Sequence, residues 1–199
     1  MADLFLVRHG ETEWSRSGRH TGLTDVPLTE QGRQEARRLV PMIRSHRIGA
    51  AFVSPSQRAR ETAELIGLTE ARVDADLHEW DYGAYEGVTT VEIHRERPGW
   101  FLFTDGVEAG PPDRPGESPK EVGERADRVL AKVDAALANT EGCVVLVAHG
   151  HFLRVLTARR LGLPPADGAL FQLATGTVCR LSTEHGRPVI AAWNVRPGS

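Results

Sequence analysis

Val144-Val145-Leu146-Val147-Ala148-His149-Gly150-His151 is an apolar run that stops abruptly at two histidines flanking a glycine. A short, continuous, Val-rich run of this kind reads as a strand buried on both faces of a sheet. Its abrupt end places polar chemistry at the carboxyl end of that strand. The pattern occurs twice upstream. Leu4-Phe5-Leu6-Val7 runs into Arg8-His9-Gly10, and Ala50-Ala51-Phe52-Val53 runs into Ser54-Pro55-Ser56-Gln57-Arg58.

Helical patterns separate these strands. Thr29 is placed to cap a helix carrying Ala36, Leu39, Val40 and Ile43 at helical spacing, with Gly49 beyond its end. A second helix passes through Thr62, Leu65 and Ile66 and closes at Gly67. Residues 119–138 place Val122, Ala126, Val129, Val133 and Leu137 on one face, and residues 152–161 form a further helix. Val73 belongs to a short edge strand. Two final strands, near 177–182 and 188–193, join through Glu184-His185-Gly186 and form either a dimer edge or the end of the sheet. Residues 76–87 read as a structured loop, and the Pro- and Gly-rich stretch 98–119 as an irregular, lid-like excursion.

Alternating strands and helices predict an α/β fold: a three-layer α/β/α arrangement, 1–199 as one domain, with a mostly parallel central sheet and helices on both faces. Such sheets bind ligands at the carboxyl ends of their strands. If the three strands are neighbours, Arg8-His9, Ser54 to Arg58 and His149-Gly150-His151 meet at one edge.

Composition narrows the possibilities. A net charge of -3 gives no electrostatic case for nucleic acid or an anionic membrane. Cys143 and Cys179 lie in β-like runs and read as packed thiols, without disulfide or metal-ligand spacing. No apolar run approaches the ~20 residues of a membrane span. The N-terminal residues lack a basic segment followed by an apolar stretch, so a cytoplasmic location is expected.

The converging residues suit phosphate chemistry. Guanidinium groups bind phosphate oxygens in a planar, often bidentate fashion, which nominates Arg8 and Arg58. Their charge disfavours protonation of a neighbouring imidazole, leaving His9 as a nucleophile, with His149 beside the phosphoryl group. Glu79, flanked by aromatic residues expected to desolvate it, is the candidate proton donor. The competing reading is a metal held by His149 and His151. No His-Glu-x-x-His or carboxylate cluster accompanies them, and adjacent arginines would repel a cation.

With those residues in view, the chain resembles the histidine phosphatase superfamily, which includes the phosphoglycerate mutases. The resemblance lies in Arg8-His9-Gly10-Glu11-Thr12 with Trp14, Thr21-Gly22-Leu23-Thr24-Asp25, Ser54-Pro55 with Arg58-Ala59 and Thr62-Ala63, Glu79 with Tyr82-Gly83 and Glu86-Gly87, and Ala148-His149-Gly150. It implies a Rossmann-like core and no cofactor or metal. It implies His9 as the phosphorylated nucleophile and Glu79 as acid, then base. Arg8, Arg58 and His149 would complete the phosphate pocket. Ser15, Thr21, Gly22 and Tyr82 would border the substrate, and Gly150 and His151 would close the pocket. Trp14 and Trp80 are expected on its wall, and His20 is a further pocket candidate.

Mutases of this family carry an Arg-Arg pair and an asparagine after the first-motif tryptophan. Here the region from Arg97 to Ser118 has no such pair, and Ser15 follows Trp14. The segments around Trp14, Thr21 and Glu79 to Gly87 are similar to the sedoheptulose bisphosphatase and small acid phosphatase branch, although Arg19-His20 departs from the former. The expectation is a phosphatase acting on a small-molecule phosphate ester, a sugar phosphate or bisphosphate. The alternatives are a phosphoglycerate mutase and a non-catalytic phosphate-ligand binding protein.

Overall fold

The structure, a computed structural model, describes residues 3–197; residues 1, 2, 198 and 199 lie outside the described range. In chain order the elements are β1 (Leu4–Arg8), α1 (Glu13–Ser17), α2 (Glu30–Arg38), α3 (Val40–Arg44), β2 (Ile48–Val53), α4 (Gln57–Leu65) and β3 (Arg72–Val73). There follow α5 (Thr90–Glu96), α6 (Leu102–Asp105), α7 (Pro119–Asn139), β4 (Cys143–Ala148), α8 (Gly150–Arg160), β5 (Val178–Glu184) and β6 (Arg187–Val195).

The sheet runs β3-β2-β4-β1-β5-β6. The first four strands are parallel, whereas β5 and β6 are antiparallel to their neighbours. Side chains alternate along a strand, so each apolar run feeds two cores. Leu4, Leu6, Val144, Leu146 and Ala148 face the layer containing α7 and α8. Phe5, Val7, Val145 and Val147 face the layer containing α2, α3 and α4. The fold is the three-layer α/β arrangement expected from the sequence, with β4 flanked by β1 and β2 as the site requires.

Local chemistry sets most boundaries. Thr29 accepts the Gly32 N–H and starts α2; Ser118 and Glu121 form a reciprocal capping box on α7. The β5–β6 hairpin turns on His185 and Gly186, both left-handed at φ 49° and 76°. Two expectations need correction, the unbroken helix through Ile43 and the nature of 98–119. The helix expected through Ile43 breaks at Leu39, because Pro41 lacks the N–H an uninterrupted helix needs. Gly49 lies beyond the helix end as expected, inside β2 at a register shift where a β-carbon would sit 2.6 Å from Thr140 Oγ1. The stretch 98–119 contributes Trp100, Leu102 and Phe103 to the core and holds the short helix α6, so its first part is packing rather than an excursion. Helix α5, capped by Thr89 and Glu92, has no counterpart in the sequence reading.

Candidate active site

The site begins where the ladder stops. Arg8 pairs with Ala148 and Val53 with Val147. The next N–H groups continue the pattern: His9 donates to the Ala148 carbonyl at 3.0 Å, and Ser54 to the Val147 carbonyl at 3.0 Å. His9, Ser54 and His149 therefore emerge side by side, and the His9 and His149 rings meet edge-on with centroids 5.1 Å apart.

The His9 ring has a defined tautomer. Its Nδ1–H donates to the Gly10 carbonyl at 2.7 Å, and a carbonyl can only accept. Nε2 therefore keeps its lone pair. Burial, then the charges of Arg58 and Arg8, hold the His9 pKa well below the ordinary histidine value. A neutral imidazole with one free nitrogen among cations is the state a nucleophile needs. His149 is fully buried and likewise held well below its ordinary pKa, first by burial and then by Arg58. Its Nε2 lies 2.7 Å from Ser54 Oγ, while its Nδ1 is buried without a partner.

The two arginines are anchored by their outer nitrogens. Arg58 Nη1 donates to the Thr24 carbonyl, and Nη2 to the carbonyls of Thr21 and Gly22. Arg8 Nη1 donates to the Leu173 carbonyl. Both Nε atoms are buried without a partner. Gly150 makes room for Arg8: a β-carbon there would stand 3.0 Å from the centre of the guanidinium.

Glu79 sits against the start of α8. Its Oε1 accepts from the Trp80 and Phe152 N–H groups at 2.9 and 2.8 Å, and its Oε2 from the His151 N–H at 3.0 Å. The carboxyl group is thus oriented by main-chain donors, not by aromatic faces. Trp80 turns away entirely: its indole is buried, bonds the Glu117 carbonyl and packs edge-on against Phe103. Trp14 packs on Gly87. Neither tryptophan lines the pocket, which corrects that expectation.

A cavity of about 200 Å³ opens above His9. Of the expected residues, Arg8, His9, Ser15, Thr21, Glu79, Tyr82, Gly150 and His151 line it, as does His20. Gly22 and His149 instead line a smaller cavity of about 170 Å³ that shares Glu79 as a wall. Gly22 is fixed there by its N–H on the Glu86 carboxylate. Arg58 is buried and lines neither. Tyr82 Oη lies 2.5 Å from His151 Nδ1, tying two wall residues together. No residue of 98–119 is among those lining this cavity.

Sequence reasoning missed Arg19, Thr90 and Arg154, which also line the cavity. Arg154 follows His151 by three positions on α8, so helical spacing was a usable signal. Arg19 and Thr90 carried none; they meet through the bridge between Arg19 and Thr89. Among the described residues, no group of three or more His, Cys, Asp or Glu side chains is arranged to hold a metal ion, and no helix is long and apolar enough to cross a membrane.

Comparison with known proteins agrees with this geometry. The chain is 40% identical over 185 residues to an acid phosphatase of Mycobacterium tuberculosis, covering 92% of this chain and 87% of that one. It is 37% identical to sedoheptulose 1,7-bisphosphatase of Saccharomyces cerevisiae, covering 79% and 67%. A probable phosphoglycerate mutase GpmB of Salmonella arizonae is 32% identical, covering 98% and 91%. The solved structure of the M. tuberculosis open reading frame Rv3214 superposes with a TM-score of 0.91 at 37% identity, covering 98% of each chain. Residues 4–196 match the histidine phosphatase superfamily (branch 1), and the chain belongs to that family.

Proposed function

We propose that this protein is a metal-independent phosphatase that hydrolyses phosphate monoesters of small metabolites, sugar phosphates or bisphosphates, through a phosphohistidine on His9. One observation carries the reading. Of the four buried side-chain polar atoms without a partner among the described residues, three are Arg8 Nε, Arg58 Nε and His149 Nδ1. A buried unpaired donor costs about 1–3 kcal/mol. All three atoms belong to residues grouped with the free Nε2 of His9, and a phosphoryl group offers the oxygens that would satisfy them.

In this reading His9 Nε2 attacks phosphorus while Arg8, Arg58 and His149 balance charge on the transferring oxygens. Glu79 gives a proton to the leaving oxygen, then takes one from the water that attacks the phosphohistidine. Arg19 and Arg154 add positive charge to the cavity wall, which supports substrates bearing a second anionic group. The acid phosphatase and bisphosphatase relatives support hydrolysis. The relatives named as probable mutases keep transfer as the second reading, against which stands the lack of an Arg-Arg pair between Arg97 and Ser118.

The test is phosphate release in chelator from sugar mono- and bisphosphates, nucleotides, 3-phosphoglycerate and an aryl phosphate, with His9→Ala as control. Release lost in His9→Ala, with an acid-labile enzyme phosphate trapped by rapid quench, is the expected result. Interconversion of phosphoglycerates without release would favour the mutase. Inactivity across the panel would count against catalysis on these substrates.

A further inference from the structure

Away from the cavity, an ion pair between buried Arg125 and half-buried Glu117 holds the segment that carries Glu79. Arg125, on α7, is 3% exposed, and all five of its N–H donors are used. Two go to the Glu117 carboxylate, at 2.9 and 2.7 Å. The other three go to main-chain carbonyls of Asp76, His78 and Glu79 itself, at 2.8, 2.6 and 3.3 Å. The guanidinium also lies 4.5 Å from the centre of the Phe152 ring, and Phe152 donates the N–H that holds Glu79 Oε1.

Glu117 grips the same segment from the other side. Its carboxylate accepts the Asp81 N–H, its N–H donates to the Asp81 carbonyl, and its carbonyl accepts the Trp80 indole N–H. Every residue from Glu79 to Asp81 is therefore bonded directly to Glu117 or Arg125. Neither residue lines the cavity. A pair that only stabilised the fold could bond any carbonyls; this one brackets Glu79.

We propose that Glu117 and Arg125 are positioning residues for the proton-transfer step, setting where the Glu79 carboxyl stands relative to the leaving oxygen. The inference rests on the reading of Glu79 as the acid. It also gives the 98–119 segment a role: the segment delivers Glu117 to the back of the site.

The test separates positioning from general damage by leaving-group chemistry. A leaving group that departs easily as an anion needs no proton; a poor one does. kcat/KM is measured for a series of aryl phosphates of graded leaving-group pKa and an alkyl phosphate, in wild type, Glu117→Gln, Arg125→Lys and Glu79→Gln. Folding is checked by circular dichroism, and Glu117→Asp, which keeps the charge, replaces Glu117→Gln if that variant does not fold. We expect losses of about tenfold or more for the alkyl phosphate but less than about threefold for 4-nitrophenyl phosphate, with inhibition by inorganic phosphate unchanged. Glu79→Gln should show the same dependence more steeply. A uniform loss across the series in the Glu117 and Arg125 variants, or none, with Glu79→Gln still leaving-group dependent, overturns the positioning role alone. A flat response in Glu79→Gln overturns the acid assignment and this proposal with it.

Discussion

Acidification from pH 7 to pH 5 should lower the stability of the free protein substantially, and three histidines bound the size of the loss. His9, His149 and His151 are held well below the ordinary histidine pKa, chiefly by desolvation and then by neighbouring arginines. In the unfolded chain each titrates near 6.5. Between the lowered folded value and 6.5 the unfolded state binds more protons, so stability falls as pH falls below that point. A histidine that stays neutral when folded loses about 1.9 kcal/mol between pH 7 and pH 5, so three lose up to about 6 kcal/mol. That is comparable with the ~5–15 kcal/mol total of an ordinary domain. Asp76, Glu92 and Glu121 have lowered carboxyl values and lose their contribution only at lower pH, so this window isolates the histidines. The assay is urea unfolding at pH 7, 6 and 5 in phosphate-free buffer. His149→Asn should reduce the pH dependence by up to about 1.9 kcal/mol. A change below about 1 kcal/mol across the window would refute the claim that these rings are held neutral.

Three further outcomes follow from particular contacts. Gly10→Ala would place a β-carbon 2.2 Å from the Gly32 carbonyl, which is backbone and cannot swing aside; stability should fall by about 1–3 kcal/mol in urea unfolding, and kcat should fall with it. Glu86→Ala leaves the Gly22 and Thr24 N–H groups without their acceptor. It should cost about 3 kcal/mol and raise KM, because the freed loop carries the carbonyls that anchor Arg58. Ser54→Ala removes the hydroxyl partner of His149 Nε2; the folded variant should lose about tenfold in kcat/KM, and unchanged kinetics would show that the serine does not orient the ring.

Much of the fold was legible because it is encoded locally. Continuous apolar runs identify β1, β2 and β4, and the polar residues that end them mark the site edge. Thr29 and Ser118 announce helix starts through their own side chains. The placement of His9 beside His149 needed only the inference that three neighbouring strands end together. Where the reading failed, a local signal was ambiguous or absent. Trp80 stands next to Glu79 in sequence, yet its indole went to the core against Phe103 while the Glu79 carboxylate meets the start of α8. Phe103 and Trp100 sit in a Pro- and Gly-rich stretch whose composition hides their burial.

The sequence by itself determined the layered α/β architecture, the Arg8-His9-Gly10 motif at the end of β1 and the family, because strand, cap and motif signals each span a few adjacent residues. Only the tertiary structure decided which side chains meet. Glu79 is held by N–H groups 72 and 73 residues away, and Arg58 by carbonyls 34 to 37 residues away. Arg125 reaches carbonyls 46 to 49 residues away. Such contacts depend on how helices dock on the sheet and which rotamers fit between them, and no local periodicity records that.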